Sequence, residues 1–220
     1  MRTLLLCLIG CLGSAAEAPP LSAIITYTQR VETPDGMTRT TVFKERLLRA
    51  PGQVWQERVL PHRPKPSPEA PEHLHPKDLG VAARHLTRSG TGALALEFVH
   101  PDGIRIHAET RDFPEVGFDG SWAAAFHILD PARLAGLKPL LQSPAQPAPE
   151  GAQWLGTEDQ GQYLRVLWST RWELPLRIEA GSKDGRRVNL TEVQPGPLPA
   201  ALPWDRLKGL PEKEYTDLLD

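Results

Sequence analysis

Apolar and polar residues alternate along much of this chain with a period of two. In the segment 94–98 the apolar Leu94, Leu96 and Phe98 are separated by single residues, and the same spacing recurs further along. Because successive side chains of a β-strand point to opposite faces of a sheet, this alternation predicts strands with one buried and one solvated face. The predicted strands are residues 24–31, 38–48, 54–60, 94–98, 104–109, 164–168, 174–180 and 188–193.

Short turn sequences separate several of these segments. Pro-Asp-Gly occupies positions 34–36 and 101–103, and Lys-Asp-Gly occupies positions 183–185. In such turns proline presets one backbone torsion, aspartate hydrogen-bonds to the local backbone, and glycine accepts a positive φ. The three turns predict antiparallel hairpins, and therefore a mainly β fold of the α+β class built on a single antiparallel sheet.

Helix signals are few and short. Ser121 is a candidate N-cap for residues 122–129, Asp130-Pro131 opens residues 132–137, and Pro211 is a candidate start for a last helix. Two proline-rich segments, near 61–76 and 139–151, predict extended and largely solvated loops.

The N-terminus predicts export. Arg2 precedes an apolar run at 4–12 and then an A-x-A site at 16–18, which is the order of a cleaved signal peptide. The run is shorter than the roughly 20 residues that cross a bilayer, so no integral span is expected. We therefore expect residues 1–18 to be a signal peptide, 19–220 to be one domain, and the protein to reside in the periplasm. The alternative is a lipid anchor at Cys11, because Leu8-Ile9-Gly10-Cys11 resembles a lipobox.

Composition excludes several function classes. Both cysteines lie at positions 7 and 11, so cleavage after Ala18 leaves no disulfide or thiol nucleophile. The net charge of -2 is spread along the chain and predicts no nucleic-acid partner. None of the usual hydrolase, phosphate-loop or dinucleotide motifs is present, so we predict no enzymatic activity and no cofactor.

A group of histidines supports an alternative function. His73 and His75 would project to one side of an extended segment, and with His85 they would offer imidazole ligands to copper or zinc. The ordinary interpretation of histidines in a proline-rich loop is that they are solvated and bind no metal.

Two stretches resemble the LolA/LolB superfamily of lipoprotein-sorting proteins. Residues 28–29, the turn at 34–36 and Arg-Ala-Pro-Gly-Gln-Val-Trp-Gln-Glu at 49–57 resemble the early hairpin of the family. Residues 174–179, the turn at 184–185 and residues 188–193 resemble its closing pair of strands. No functional arginine is carried over, because Val54 stands where the family has one before the strand tryptophan.

The resemblance implies a strongly curved sheet, or half-open β-barrel, with short helices at 122–137 as a lid over an apolar cavity. The implied ligand is an acyl chain or another hydrophobic molecule. The alternative is that the protein binds an envelope protein partner. We expect the protein to be a monomer. The residues expected to line the cavity are Trp55, Leu96, Ile106, Val166 and Trp168.

Overall fold

A computed structural model gives the structure of the protein and describes residues 18–60, 79–140 and 146–219. The expected signal peptide except Ala18, the whole proline-rich segment 61–76, and with it the candidate ligands His73 and His75 lie outside the described residues. The expected division into a signal peptide and one domain stays a prediction.

In the part of the chain that the structure describes, twelve strands make up one sheet, and two short helices accompany it. The strands are β1 (Leu21–Glu32), β2 (Thr38–Ala50), β3 (Gln53–Arg58), β4 (Ala83–Arg88), β5 (Leu94–Val99), β6 (Arg105–Ala108), β7 (Lys138–Pro139), β8 (Ala152–Asp159), β9 (Gln162–Ser169), β10 (Leu174–Ser182), β11 (Arg187–Gly196) and β12 (Glu212–Glu214). The helices are α1 (Trp122–His127) and α2 (Pro131–Leu134), and 3₁₀ turns lie at Thr110–Asp112, Pro203–Arg206 and Tyr215–Leu218.

The spatial order of the strands is β12-β6-β5-β4-β3-β2-β1-β11-β10-β9-β8-β7. All neighbours pair antiparallel except β12, which runs parallel to β6. The first and last strands of this order do not pair, so the sheet is curved but not closed, as predicted. No helix within the described ranges has the length and apolar character needed to cross a membrane.

The predicted hairpin turns are confirmed. Gly36, Gly103 and Gly185 have φ values of 83°, 80° and 73°, which glycine adopts at little cost, and each closes a connection between adjacent strands. The hairpin of β1 and β2 is long and regular, from Glu32 opposite Thr38 to Leu21 opposite Arg49. It forms the middle of the sheet, because β1 also pairs along most of its length with β11.

The two faces of the sheet are covered by different parts of the chain. We call the face that carries Ile25 and Leu47 the inner face; the loop and helices of residues 110–134, which we call the lid, pack on it through Phe113, Phe118 and Phe126. The outer face carries a smaller buried cluster, in which Leu48, Trp55 and Ala83 contact Leu207. Residues 198–210 of the C-terminal segment pack against that cluster.

Several predicted elements are corrected. The expected C-terminal helix after Pro211 is instead the short strand β12 followed by a 3₁₀ turn, because β12 finds backbone partners at the free edge of β6. Strands β4 and β8 were not predicted, and β7 extends into the expected loop at 139–151. The predicted helices exist but end early, at His127 and Leu134.

Candidate ligand-binding site

An apolar cavity of about 280 Å³ lies between the inner face of the sheet and the lid. Five adjacent strands, β1 to β5, each contribute one aliphatic side chain to its floor, and the lid supplies its roof. The floor residues are Ile25, Leu47, Val54, Leu86 and Leu96, and the roof residues include Phe118, Ala124, Ala125 and Ile128.

Strand register places the floor residues together. Val54 of β3 stands opposite Leu86 of β4, and Leu86 stands opposite Leu96 of β5. Directly opposite residues on one face of an antiparallel sheet have neighbouring side chains. The three side chains therefore form a continuous apolar strip across the sheet.

A row of polar side chains borders the cavity on the sheet side. Tyr27, Gln56 and Arg84 line it. Nη2 of Arg84 donates to Oε1 of Gln56 at 2.9 Å, and Nε2 of Gln56 donates to the carboxylate of Glu45. Burial raises the pKa of the Tyr27 hydroxyl, and the neighbouring Glu45 carboxylate raises it further, so that Tyr27 stays protonated and donates to Glu45. The cavity therefore has an apolar interior and one polar border that ends at Arg84.

Side-chain capping and aromatic packing hold the lid in place. The hydroxyl of Ser121 accepts a hydrogen bond from the backbone N–H of Ala124 at 3.1 Å, which fixes the start of α1. Phe113 and Phe118 pack edge to face with ring centroids 5.0 Å apart. Phe118, with its neighbours Gly117 and Asp119, lines both the cavity and a second depression of about 500 Å³, which is formed by residues 110–120 of the lid.

The residue that ends α1 is strained. Ile128 has a φ of 66°, a left-handed conformation that β-branched residues rarely adopt, and its side chain lines the cavity. Such a conformation costs on the order of 1–3 kcal/mol and persists only where the surrounding structure fixes it.

A buried arginine ties the lid to the sheet. Arg49 of β2 is fully buried, and its Nη1 donates to the backbone oxygen of Phe126 in α1 at 3.0 Å. Its Nη2 donates to the backbone oxygens of Trp172 at 2.6 Å and Pro19 at 3.1 Å, and Nη1 also reaches that of Glu173 at 3.4 Å. One side chain of β2 therefore connects the segment before β1, the lid and the segment before β10.

No carboxylate pairs with Arg49 among the described residues, and its Nε has no hydrogen-bond partner there. Burial lowers the pKa of Arg49 to about 10, and the Glu173 carboxylate offsets part of that effect. The guanidinium is still charged at neutral pH, so its positive charge is stabilised chiefly by backbone carbonyl dipoles.

The outer face holds a second group of partnered polar residues. The ring of His85 lies between Trp55 and Trp204, with centroid distances of 5.7 and 5.9 Å. Nδ1 of His85 contacts Oε1 of Glu97 at 2.7 Å, and Nε2 contacts Oε1 of Gln53 at 3.2 Å. Both ring nitrogens are therefore engaged.

This arrangement gives the metal hypothesis no support. A metal ligand needs a free ring nitrogen, whereas both nitrogens of His85 have side-chain partners. Within the described ranges no group of three or more His, Cys, Asp or Glu side chains is placed to hold a metal ion.

The five residues that were expected to line the cavity lie in different parts of the structure. Leu96 does line it, whereas Ile106 and Val166 are fully buried in the sheet and are not part of its walls. The ring centroid of Trp168 lies 6.4 Å from that of His127, the last residue of α1, and Trp168 does not line the cavity. The placement of Trp55 is corrected: it lies on the outer face, because its neighbour Val54 points into the cavity and successive residues of a strand face opposite ways.

The polar border and Arg49 were missed by the sequence analysis. Gln56 follows Val54 by two positions, and Arg84 precedes Leu86 by two, so each shares a face with a floor residue. That spacing was the available signal for Gln56 and Arg84. For Arg49 the sequence carries no such signal, because its four backbone partners come from distant segments.

Comparison with known proteins adds similarities in structure only. No family model matches the chain, and no curated protein sequence matches it. Solved structures with similarity include a structure of PNGF-II, with a TM-score of 0.41 and 10% identity over 90% of this chain; the chain spans only 33% of that protein.

Two further structures match over most of both chains. A DUF1329 family protein from Desulfovibrio piger has a TM-score of 0.34 and 9% identity, covering 88% of this chain and 91% of that one. A putative outer membrane lipoprotein-sorting protein domain from Vibrio parahaemolyticus has a TM-score of 0.29 and 12% identity, covering 85% and 89%. The last belongs to the class that the sequence resembles, but at these TM-scores no function follows from any of the three.

Proposed function

We propose that this protein is a non-catalytic, exported binding protein that holds a hydrophobic chain in the cavity beneath the lid. The ligand would be the acyl chain of a lipid, or one carried by a lipoprotein or another protein partner of the envelope. The observation that carries the proposal is the continuous apolar floor of Val54, Leu86 and Leu96 under a separate, tethered lid.

The size of the cavity supports a narrow ligand. Its volume of about 280 Å³ lies near the lower end of small-molecule sites, which span roughly 300–1,000 Å³. Burying one methylene contributes about 0.8 kcal/mol, so that about six methylenes would contribute about 5 kcal/mol. That free energy corresponds to a dissociation constant below about 1 mM, before any contact with a headgroup.

The direct test measures binding of a neutral hydrophobic fluorophore, N-phenylnaphthylamine, to the protein purified after export. We expect Ala125→Phe to abolish the fluorescence increase, because Ala125 lines the cavity and a phenyl ring would fill it. Ala123→Phe is the matched control: it places the same side chain on the same helix at a position that does not line the cavity. Equal binding by both variants, with unchanged circular dichroism, would exclude the cavity as the binding site.

Native mass spectrometry of the exported protein gives an independent test. Co-purified lipid supports the proposal, whereas stoichiometric copper or zinc would revive the metal alternative. The mass of the polypeptide also distinguishes cleavage after Ala18 from acylation at Cys11.

A further inference from the structure

We infer that the ligand is a single-chain amphiphile with an acidic headgroup, and that Arg84 binds this headgroup at the border of the cavity. The inference deepens the proposed function and rests on it. It starts from the asymmetry of the cavity, which has aliphatic walls on the sheet side except along the row formed by Tyr27, Gln56 and Arg84.

The asymmetry fixes the orientation of an amphiphile. An alkyl chain placed along the polar row would remove solvent from the N–H groups of Arg84 that make no hydrogen bond to Gln56, which is costly. An alkyl chain on Val54, Leu86 and Leu96 meets only carbon. The polar end of the ligand must then lie at the row.

Arg84 is the group in the row with hydrogen-bonding capacity to spare. The hydroxyl of Tyr27 and the amide nitrogen of Gln56 both donate to the Glu45 carboxylate. Arg84 donates one hydrogen bond to Gln56, and no carboxylate of the described residues lies within ion-pairing distance of Arg84. A guanidinium has five N–H donors in a planar fork, a geometry that matches a carboxylate or a phosphate.

Two negative charges oppose this assignment. The Glu45 carboxylate is already engaged by hydrogen bonds from the Tyr27 hydroxyl and the Gln56 amide, and it does not line the cavity. Asp119 of the lid does line the cavity, and its Oδ1 accepts a hydrogen bond from the backbone N–H of Ser121 at 2.9 Å. Asp119 is exposed whereas Arg84 is half-buried. Because solvent screens an exposed charge more strongly, the attraction to Arg84 outweighs the repulsion from Asp119.

The volume of the cavity limits the number of alkyl chains that the ligand can carry. A cavity of about 280 Å³ has room for one alkyl chain or part of one, and it cannot hold the two or three acyl chains of a diacyl or triacyl lipid. Fatty acids and monoalkyl phosphates share the required chemistry, namely one tail and an acidic headgroup.

The experiment measures displacement of N-phenylnaphthylamine by palmitate, hexadecyl phosphate and hexadecanol, which carry the same chain on three headgroups. We expect at least one of the acids to bind about tenfold more tightly than the alcohol, as for a charge-assisted hydrogen bond. The acid whose affinity exceeds that of hexadecanol by the larger factor shows whether the headgroup is a carboxylate or a phosphate. Arg84→Gln should remove this preference, so that within this variant the acids bind no more tightly than hexadecanol, and Asp119→Asn should strengthen acid binding by about two- to threefold.

Arg39→Gln is the control, because it removes the same charge from an exposed position at the far end of the β1–β2 hairpin. If all three compounds bind the wild-type protein equally, the headgroup assignment is wrong, but the proposal that the cavity binds a hydrophobic chain is retained. If N-phenylnaphthylamine and all three compounds fail to bind, the proposed function itself is overturned.

Discussion

Arg49 and Phe126 are joined twice. Nη1 of Arg49 donates to the backbone oxygen of Phe126 at 3.0 Å, and the guanidinium carbon lies 4.8 Å from the centroid of the Phe126 ring. The arginine thus binds the backbone and the side chain of the same lid residue. Because Arg49 belongs to the long central strand β2, this pair anchors the lid to the most extensively paired part of the sheet.

We predict that Arg49→Lys destabilises the fold by about 2–4 kcal/mol. Lysine keeps the charge, but its single ammonium group cannot reach all the carbonyls that Arg49 binds, and buried carbonyls without donors are costly. Urea unfolding followed by circular dichroism measures the effect. Arg39→Lys, at an exposed position, should change the free energy of unfolding by less than about 0.5 kcal/mol. If the two variants are equally stable, the carbonyl contacts of Arg49 contribute little.

A second prediction concerns acid stability and the outer face. Burial alone would raise the pKa of the Glu97 carboxyl, but hydrogen bonds from His85 and Arg105 outweigh it and hold that pKa below 4.5, its ordinary value. A carboxyl with a lowered pKa in the folded state stabilises the fold fully above its unfolded-state pKa, and this contribution is lost as the pH falls through the folded-state pKa. Glu97 therefore stabilises the protein at neutral pH and ceases to do so in acid.

Glu97→Gln should accordingly cost about 1–2 kcal/mol at neutral pH, and the difference from the wild type should shrink as the pH falls below 4.5. Chemical unfolding at a series of pH values measures it. Glu115→Gln is the control, because Glu115 is exposed and makes no ion pair with any described residue. A wild-type advantage that persists unchanged in acid would contradict the role assigned to Glu97.

The limits of the sequence analysis have a physical origin. The hairpin turns were predictable, because a Pro-Asp-Gly sequence carries its own local geometry. Strand β4 was not, because Arg84 and Leu86 share one face while Ala83 and His85 share the other, so that neither face is uniformly apolar. Alternation shows which residues share a face but does not tell which face is inner, and Trp55 was placed wrongly for that reason.

The outer face is buried as well, which makes the pattern of apolar and polar positions in these strands harder to interpret. Trp204 and Leu207, about 150 residues after Trp55, cover it. A strand buried on both faces loses the contrast between apolar and polar positions. The contacts of Arg49 are equally invisible in the sequence, since they depend on backbone atoms.

A third prediction tests the close approach of β10 and β11. A Cβ atom at Gly181 would clash with the backbone oxygen of Arg187 and would lie 3.1 Å from the hydroxyl of Tyr163. Because the first contact is with backbone, the strands would have to separate, and we expect Gly181→Ala to cost about 1–3 kcal/mol. Gly90→Ala, where a Cβ would meet no atom within 4 Å, should be neutral or slightly stabilising. Equal melting temperatures for the two variants would contradict the register of these strands.

The fourth prediction concerns Phe118, whose ring is the largest side chain that lines both the cavity and the second depression of the lid. Phe118→Ala should lower the free energy of unfolding by about 3–5 kcal/mol, because it removes a buried ring and joins the two spaces. A ligand that fills the enlarged space should restore part of this loss, since binding to the folded state alone stabilises it.

The measurement is the shift in melting temperature on adding palmitate to the wild type, Phe118→Ala and Phe113→Ala. Phe113 packs against Phe118 and borders the second depression, but it does not line the cavity. Both alanine variants should melt earlier than the wild type, but the shift caused by palmitate should be larger than the wild-type shift only in Phe118→Ala. The comparison separates loss of packing, which both variants share, from gain of ligand space, which belongs to position 118 alone. If palmitate shifts the two variants equally, Phe118 supports the lid without dividing the two spaces.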